Sequence, residues 1–64
     1  MFNHERMAEL IREKEIEQKD IAEAIGVSEA AVSYYARGLK TPSIETLSRI
    51  AKVLGVSSAE LIKE

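Results

Sequence analysis

Glu29, Ala30, Ser33, Tyr34 and Arg37 fall together when successive residues are turned by about 100°, on the side of a helix opposite Val32 and Tyr35. The strip carries a carboxylate, a methyl group, a hydroxyl, a phenol and a guanidinium. Small side chains let a helix lie deep in a groove, and hydroxyl, carboxylate and guanidinium groups can bond to base edges or phosphates. An ordinary solvated surface with an incidental tyrosine has the same composition. The face alone does not choose between the two.

The elements around the strip are more telling. Ile21, Ala22 and Ile25 recur at helical spacing, and Val32 and Tyr35 resume it after an interruption at Gly26. Glycine closes a helix in the left-handed conformation, and Ser28 is a good cap for a new one. A helix, a short glycine-containing turn and a second capped helix form a helix-turn-helix pattern. Ala22 fits it, because a larger side chain there would hold the helices apart. Ile21, Ile25, Val27, Val32 and Tyr35 are expected to supply the apolar contacts.

Five helices are expected in all. The first starts after the cap Asn3 and runs to about Lys14, with Met7, Leu10 and Ile11 inward and Phe2 against Met7 as a hydrophobic staple. The second begins near Glu17 or Gln18, and the third runs from Ser28 to about Arg37, closed by Gly38. Pro42 makes the following segment a loop. Ser43 caps a fourth helix carrying Ile44, Leu47, Ile50, Ala51 and Leu54 on one side, ended by Gly55. Ser57 and Glu60 have capping-box spacing and open a short fifth helix with Leu61 and Ile62.

The whole is 64 residues with no cysteine, one proline and three glycines, which favours a compact all-α fold over residues 1–64 as a single domain. No apolar run approaches membrane-spanning length and no signal-peptide pattern opens the chain, so no membrane association and a cytoplasmic location are expected. His4 is the only histidine and is expected at the surface; no metal site, cofactor, nucleophile motif or phosphate loop is legible, which argues against an enzyme. The formal net charge is −2. Residues 1–20 hold six acids and four bases, and residues 21–64 hold five of each. That balance argues against indiscriminate attraction to nucleic acid without excluding a local basic surface.

Taken together, Gln18, Ile21-Ala22, the run Ile25-Gly26-Val27-Ser28, Val32-Ser33, Gly38, Pro42-Ser43, Leu47, Ile50-Ala51, the run from Leu54 to Ser57, and Glu60-Leu61 resemble the Cro/cI-type (XRE-like) helix-turn-helix family. The resemblance covers residues 3–62 and implies a five-helix, lambda-repressor-like DNA-binding domain. It implies a sequence-specific transcriptional regulator, commonly a repressor acting as a homodimer on double-stranded DNA, with its third helix in the major groove. By position, Glu29, Ala30, Ser33 and Tyr34 match the base-reading residues. Gln18, Ser28, Arg37, Lys40, Thr41 and Ser43 match those meeting the phosphate backbone. Glu29 would suit a cytosine amino group and Ala30 a thymine methyl.

The sequence departs from the family pattern in three places. Ile11 and Ala36 stand where many members place an internal arginine–glutamate pair, a coherent apolar replacement. Glu15 stands where a glycine commonly ends the first helix, so that connection is expected to be strained or to end differently. Glu17 stands where a serine or threonine usually caps the second helix, and brings negative charge near a phosphate site. The acidic balance leaves a second reading open: a module that uses the same fold to bind a protein partner, including an antitoxin-type regulator.

Overall fold

In the computed structural model, which describes residues 1–63, four α-helices are followed by one 3-10 turn. They are α1 (His4–Glu13), α2 (Gln18–Ile25), α3 (Glu29–Ala36) and α4 (Ile44–Leu54), with the 3-10 turn at Ser58–Leu61. This is the expected all-α fold, its fifth element shortened to a single turn.

Three of the expected caps form. The Asn3 side chain accepts the Arg6 N–H at 3.0 Å, Ser28 Oγ accepts the Ala31 N–H at 3.1 Å, and Ser43 Oγ accepts the Thr46 N–H at 3.2 Å. Each satisfies one of the donors that a helix start leaves free. Glu17, at the start of α2, makes no side-chain cap bond. The capping box read at Ser57 and Glu60 is not built either. Glu60 instead accepts from Arg6 Nη2 at 3.0 Å, so the longer-range partner takes the carboxylate.

Among the described residues the core comprises thirteen buried hydrophobic side chains, with Pro42 also buried, and no buried polar or charged one. Met7, Ile21, Val32, Ile50, Leu54 and Leu61 are sealed almost completely, and Ala22, Ile25, Ala36, Leu47 and Phe2 join them. Phe2 and Met7 both lie in this cluster, as a staple requires. Ile11, Val27 and Tyr35 pack on its margin. Ala36 is buried and Ile11 packs against the same core, so both positions are apolar and covered.

Ile44 corrects the reading of the fourth helix. It is in phase with Ala51 yet 82% exposed. As the first residue of α4 it lies before the helix reaches the core, which begins with Leu47. His4 also differs from the surface position expected, since its ring packs under Gly38 and is half-buried.

The chain ends are tied together. Phe2 and Ile62 form an isolated antiparallel bridge, the Asn3 N–H donates to the Leu61 carbonyl at 2.7 Å, and the Lys63 N–H donates to the Met1 carbonyl at 2.6 Å. Lys63 Nζ lies 3.0 Å from Glu5 Oε1 and holds that carboxyl below its ordinary value. A depressed carboxylate contributes only while ionised, so this link is lost as pH falls through the lowered value. Arg6 reaches Glu9 at 2.9 Å and Glu60 at 3.0 Å, and both raise its pKa above the ordinary guanidinium value.

The connection from α1 to α2 carries the strain expected of it. Lys14 closes α1, and Glu15 follows with φ +54° while the Ile16 N–H returns to the Ile11 carbonyl at 3.1 Å. This is a glycine-type helix end made by a glutamate. The left-handed region costs an L side chain about 1–2 kcal/mol, and glycine gives part of that back through its freer unfolded chain. Glu15→Gly is therefore expected to stabilise by about 0.5–1 kcal/mol. In thermal unfolding this appears as a rise in Tm of roughly 2–8 °C. An unchanged or lower Tm would show that the strain is absorbed elsewhere.

Candidate nucleic-acid interface

The direction of α3 is set where α2 ends. Gly26 adopts φ 76° and donates its N–H to the Ala22 carbonyl at 2.9 Å, and the Val27 N–H reaches the same carbonyl at 3.1 Å. Ser28 is then extended and caps α3. A Cβ on Gly26 would meet nothing within 4 Å, so the requirement for glycine is purely conformational. Ala22 is 5% exposed where α2 and α3 pack, consistent with a close approach of the two helices.

Val32 and Ala36 bury the inner side of α3, leaving Glu29, Ala30 and Tyr34 exposed and Ser33 half-exposed on the outer side. These are the four residues of the expected base-reading set, and they line one accessible strip. Among the described residues Glu29 has no cationic partner within ion-pairing distance.

The expected phosphate-contacting residues are distributed around that strip. Gln18 is the first residue of α2 and half-buried, and its side chain makes no hydrogen bond among the described residues. Ser28 and Ser43 are exposed, with their hydroxyl oxygens already accepting backbone N–H groups. The Ser43 hydroxyl also lies 3.0 Å from Thr46 Oγ1 as donor, whereas the Ser28 hydroxyl proton has no protein acceptor among the described residues. Thr41, Arg37 and Lys40 are exposed.

The structure draws three of these residues together. The Arg37 guanidinium carbon lies 5.7 Å from the Tyr34 ring centroid and Lys40 Nζ lies 5.5 Å from it, both within cation–π range. Neither cation has a carboxylate partner among the described residues; the ion pairs there involve Arg6, Arg49 and Lys63 instead. Helical phase places Arg37 on the side of Tyr34, but it could not reveal the Lys40 contact, because Lys40 lies beyond the end of α3, where phase no longer applies. An open groove lined by Ala24, Ile25, Arg49, Lys52 and Val53 lies between α2 and α4 and includes no residue of α3.

Gly38 controls how the chain leaves α3. Its φ is +76°, its N–H donates to the Tyr35 carbonyl at 3.1 Å, and the Leu39 N–H returns to the Tyr34 carbonyl at 2.9 Å. A Cβ at this position would come within 2.7 Å of the His4 ring. Conformation and close approach both require glycine here. Thus α1 buttresses the end of α3 at the point from which Arg37 and Lys40 extend.

With this geometry in view, comparison with known proteins is informative. A family model described as helix-turn-helix matches residues 7–61. The transcriptional repressor RstR of the cryptic phage CTXphi, from Vibrio cholerae, is 32% identical over 59 residues, which is 92% of this chain and 53% of RstR. The chain thus spans about half the length of that relative. Among solved structures, the P22 c2 repressor in complex with a synthetic operator superposes with a TM-score of 0.88 at 28% identity, covering 98% of this chain and 96% of that one. SinR, the master regulator for biofilm formation, in complex with DNA, gives 0.80 at 33% identity, covering 92% and 98%.

The contact between His4 and Gly38 yields a separable expectation. Gly38→Ala is expected to destabilise by about 2 kcal/mol or more, the sum of left-handed strain and displacement of the ring. In a His4→Ala background only the strain remains, so the cost of Gly38→Ala should fall to about 1–2 kcal/mol. Urea unfolding of the two single variants and the double variant measures the coupling. Strict additivity would mean that the ring moves aside freely.

Proposed function

This chain belongs to the helix-turn-helix family, and from that premise we propose that it binds double-stranded DNA sequence-specifically and regulates transcription, acting as a repressor. The observation that carries the reading is the outer strip of α3: accessible, mixed in chemistry and, among the described residues, free of ion pairs and followed by two cations without a carboxylate partner. A helix so equipped suits the major groove, where Glu29 would accept from a cytosine amino group and Ala30 would touch a thymine methyl, with Ser33 and Tyr34 beside them. Gln18, Ser28, Arg37, Lys40, Thr41 and Ser43 would hold the flanking phosphates. Free N–H groups at the start of α2 add an anion-favouring dipole beside Gln18.

Family regulators of this kind bind as symmetric dimers, and a homodimer here would face two half-sites about 34 Å apart or a multiple of that. Each protomer brings few cations to the DNA. Affinity would rest on base contacts more than on phosphate attraction, and non-specific binding would be weak. A cytoplasmic location fits this role; among the described residues no helix is long and apolar enough to cross a membrane.

Selection from a randomised duplex pool at low salt, with sequencing of the bound fraction, tests the reading. A two-fold-symmetric motif is expected. Absence of any enrichment with folded protein would overturn it in favour of a module that binds a protein partner. Each phosphate neutralised contributes about −0.9 to the slope of log affinity against log salt. With roughly four cations per dimer, a slope near −4 is expected, and one steeper than about −8 would reveal an unrecognised basic surface. Glu29→Lys should strengthen binding to random-sequence duplex if α3 meets DNA, and leave it unchanged if it does not.

A further inference from the structure

We propose that Tyr34 is a positioning residue: its ring and its carbonyl together order Arg37 and Lys40, so that its contribution to DNA affinity passes through those two cations. The inference rests on the DNA-binding reading above and gives Tyr34 a role distinct from reading a base.

Two independent observations converge on it. The first concerns the side chain, with one cation 5.7 Å and the other 5.5 Å from the ring centroid. A tyrosine 37% exposed offers enough accessible ring for both contacts while remaining anchored in α3. The second concerns the backbone. The Tyr34 carbonyl accepts the Leu39 N–H at 2.9 Å and the Lys40 N–H at 3.4 Å, so the segment carrying Lys40 is folded back on the residue whose ring meets its ammonium. The residue fixes both ends of the lysine.

The consequence is entropic. Arginine and lysine side chains lose considerable rotamer freedom when they settle on a phosphate, and a side chain already confined loses less. In a protein of net charge −2, with Glu29 on the same face, few cations are available to hold DNA. Confining the two nearest to α3 makes each more effective without adding charge. The ring suits this task because it attracts a cation without neutralising it, as a carboxylate would.

A set of double-mutant cycles tests the proposal. Affinity for a random-sequence duplex at low salt is measured for the wild type, Tyr34→Leu, Tyr34→Phe, Arg37→Gln and Lys40→Gln, and for Tyr34→Leu combined with each cation variant. Tyr34→Leu is expected to weaken binding about three- to tenfold, and Tyr34→Phe to restore most of the loss because it keeps the ring. The loss should shrink in each cation variant. In the free protein, the Arg37 δ and Lys40 ε methylene protons should show upfield ring-current shifts that Tyr34→Leu abolishes.

A loss that persists undiminished in both cation backgrounds would overturn the proposal, because the tyrosine would then touch DNA itself. Unchanged affinity in Tyr34→Leu, or absence of the ring-current shifts, would overturn it as well. Failure of the wild-type protein to bind any duplex would sink the functional reading and the positioning role together. It is told apart from the other failures because in those the wild type binds.

Discussion

The structure depends first on one short turn. At Gly26 the chain takes a conformation that L side chains resist, closes α2 on the Ala22 carbonyl, and within two residues begins a helix capped by Ser28. Those few dihedral angles fix how α3 lies against α2. Packing then follows: Ala22 and Ile25 on one helix and Val32 and Ala36 on the other are buried in a common core. Because that core includes no polar group, nothing on the outer strip of α3 is needed to hold the fold. The strip is therefore free to carry chemistry.

The rest of the molecule holds α3 at its other end and pairs its own charges elsewhere. α1 packs on α3, and His4 sits against Gly38 where the chain leaves the helix. α1 is held in turn by the strand-like pairing of the two chain ends and by Arg6, which reaches Glu9 and Glu60. These ion pairs are solvent-accessible and screened, so their contribution to stability is small. Their placement matters more than their strength. Acids on α1 and in the terminal turn are matched by Arg6 and Lys63, whereas among the described residues Arg37 and Lys40 meet an aromatic ring and no carboxylate.

What the sequence made legible follows from the range of the interactions involved. The three caps, the glycine helix ends and the inner faces of α1 and α3 depend on residues within about one turn, and periodicity finds them. The strained connection at Glu15 was legible through the resemblance instead, which implied a glycine at that position where this chain has none, though it left open whether the helix would simply end differently. Ile44 was not legible, because phase places a residue on a side of a helix but does not say how far the core extends along it. Glu60 was misread because capping-box spacing is local, and the competing Arg6 lies 54 residues away. The outer strip of α3 could be listed from phase, and the resemblance gave its residues roles. Phase placed Arg37 beside Tyr34, whereas the approach of Lys40 to the same ring required the path of the chain beyond the helix.

The acidic total charge, which at first argues against a DNA partner, has a different meaning once positions are known. A net charge governs attraction at distances beyond the Debye length, about 8–10 Å at ordinary salt, while bonding to a duplex is decided at contact. A net −2 protein gains little from long-range steering and has little affinity for arbitrary sequence. On the proposed function, what would remain is discrimination at the groove, where Glu29 would itself bring an acid. A carboxylate on that strip repels phosphate wherever no matching donor is offered, and is compensated where a cytosine amino group accepts its company. Weak general attraction with a conditional acid at the proposed reading face would raise the ratio of specific to non-specific binding, the quantity that selects one site among many. On that reading, the same charge that disfavours general binding would favour selectivity.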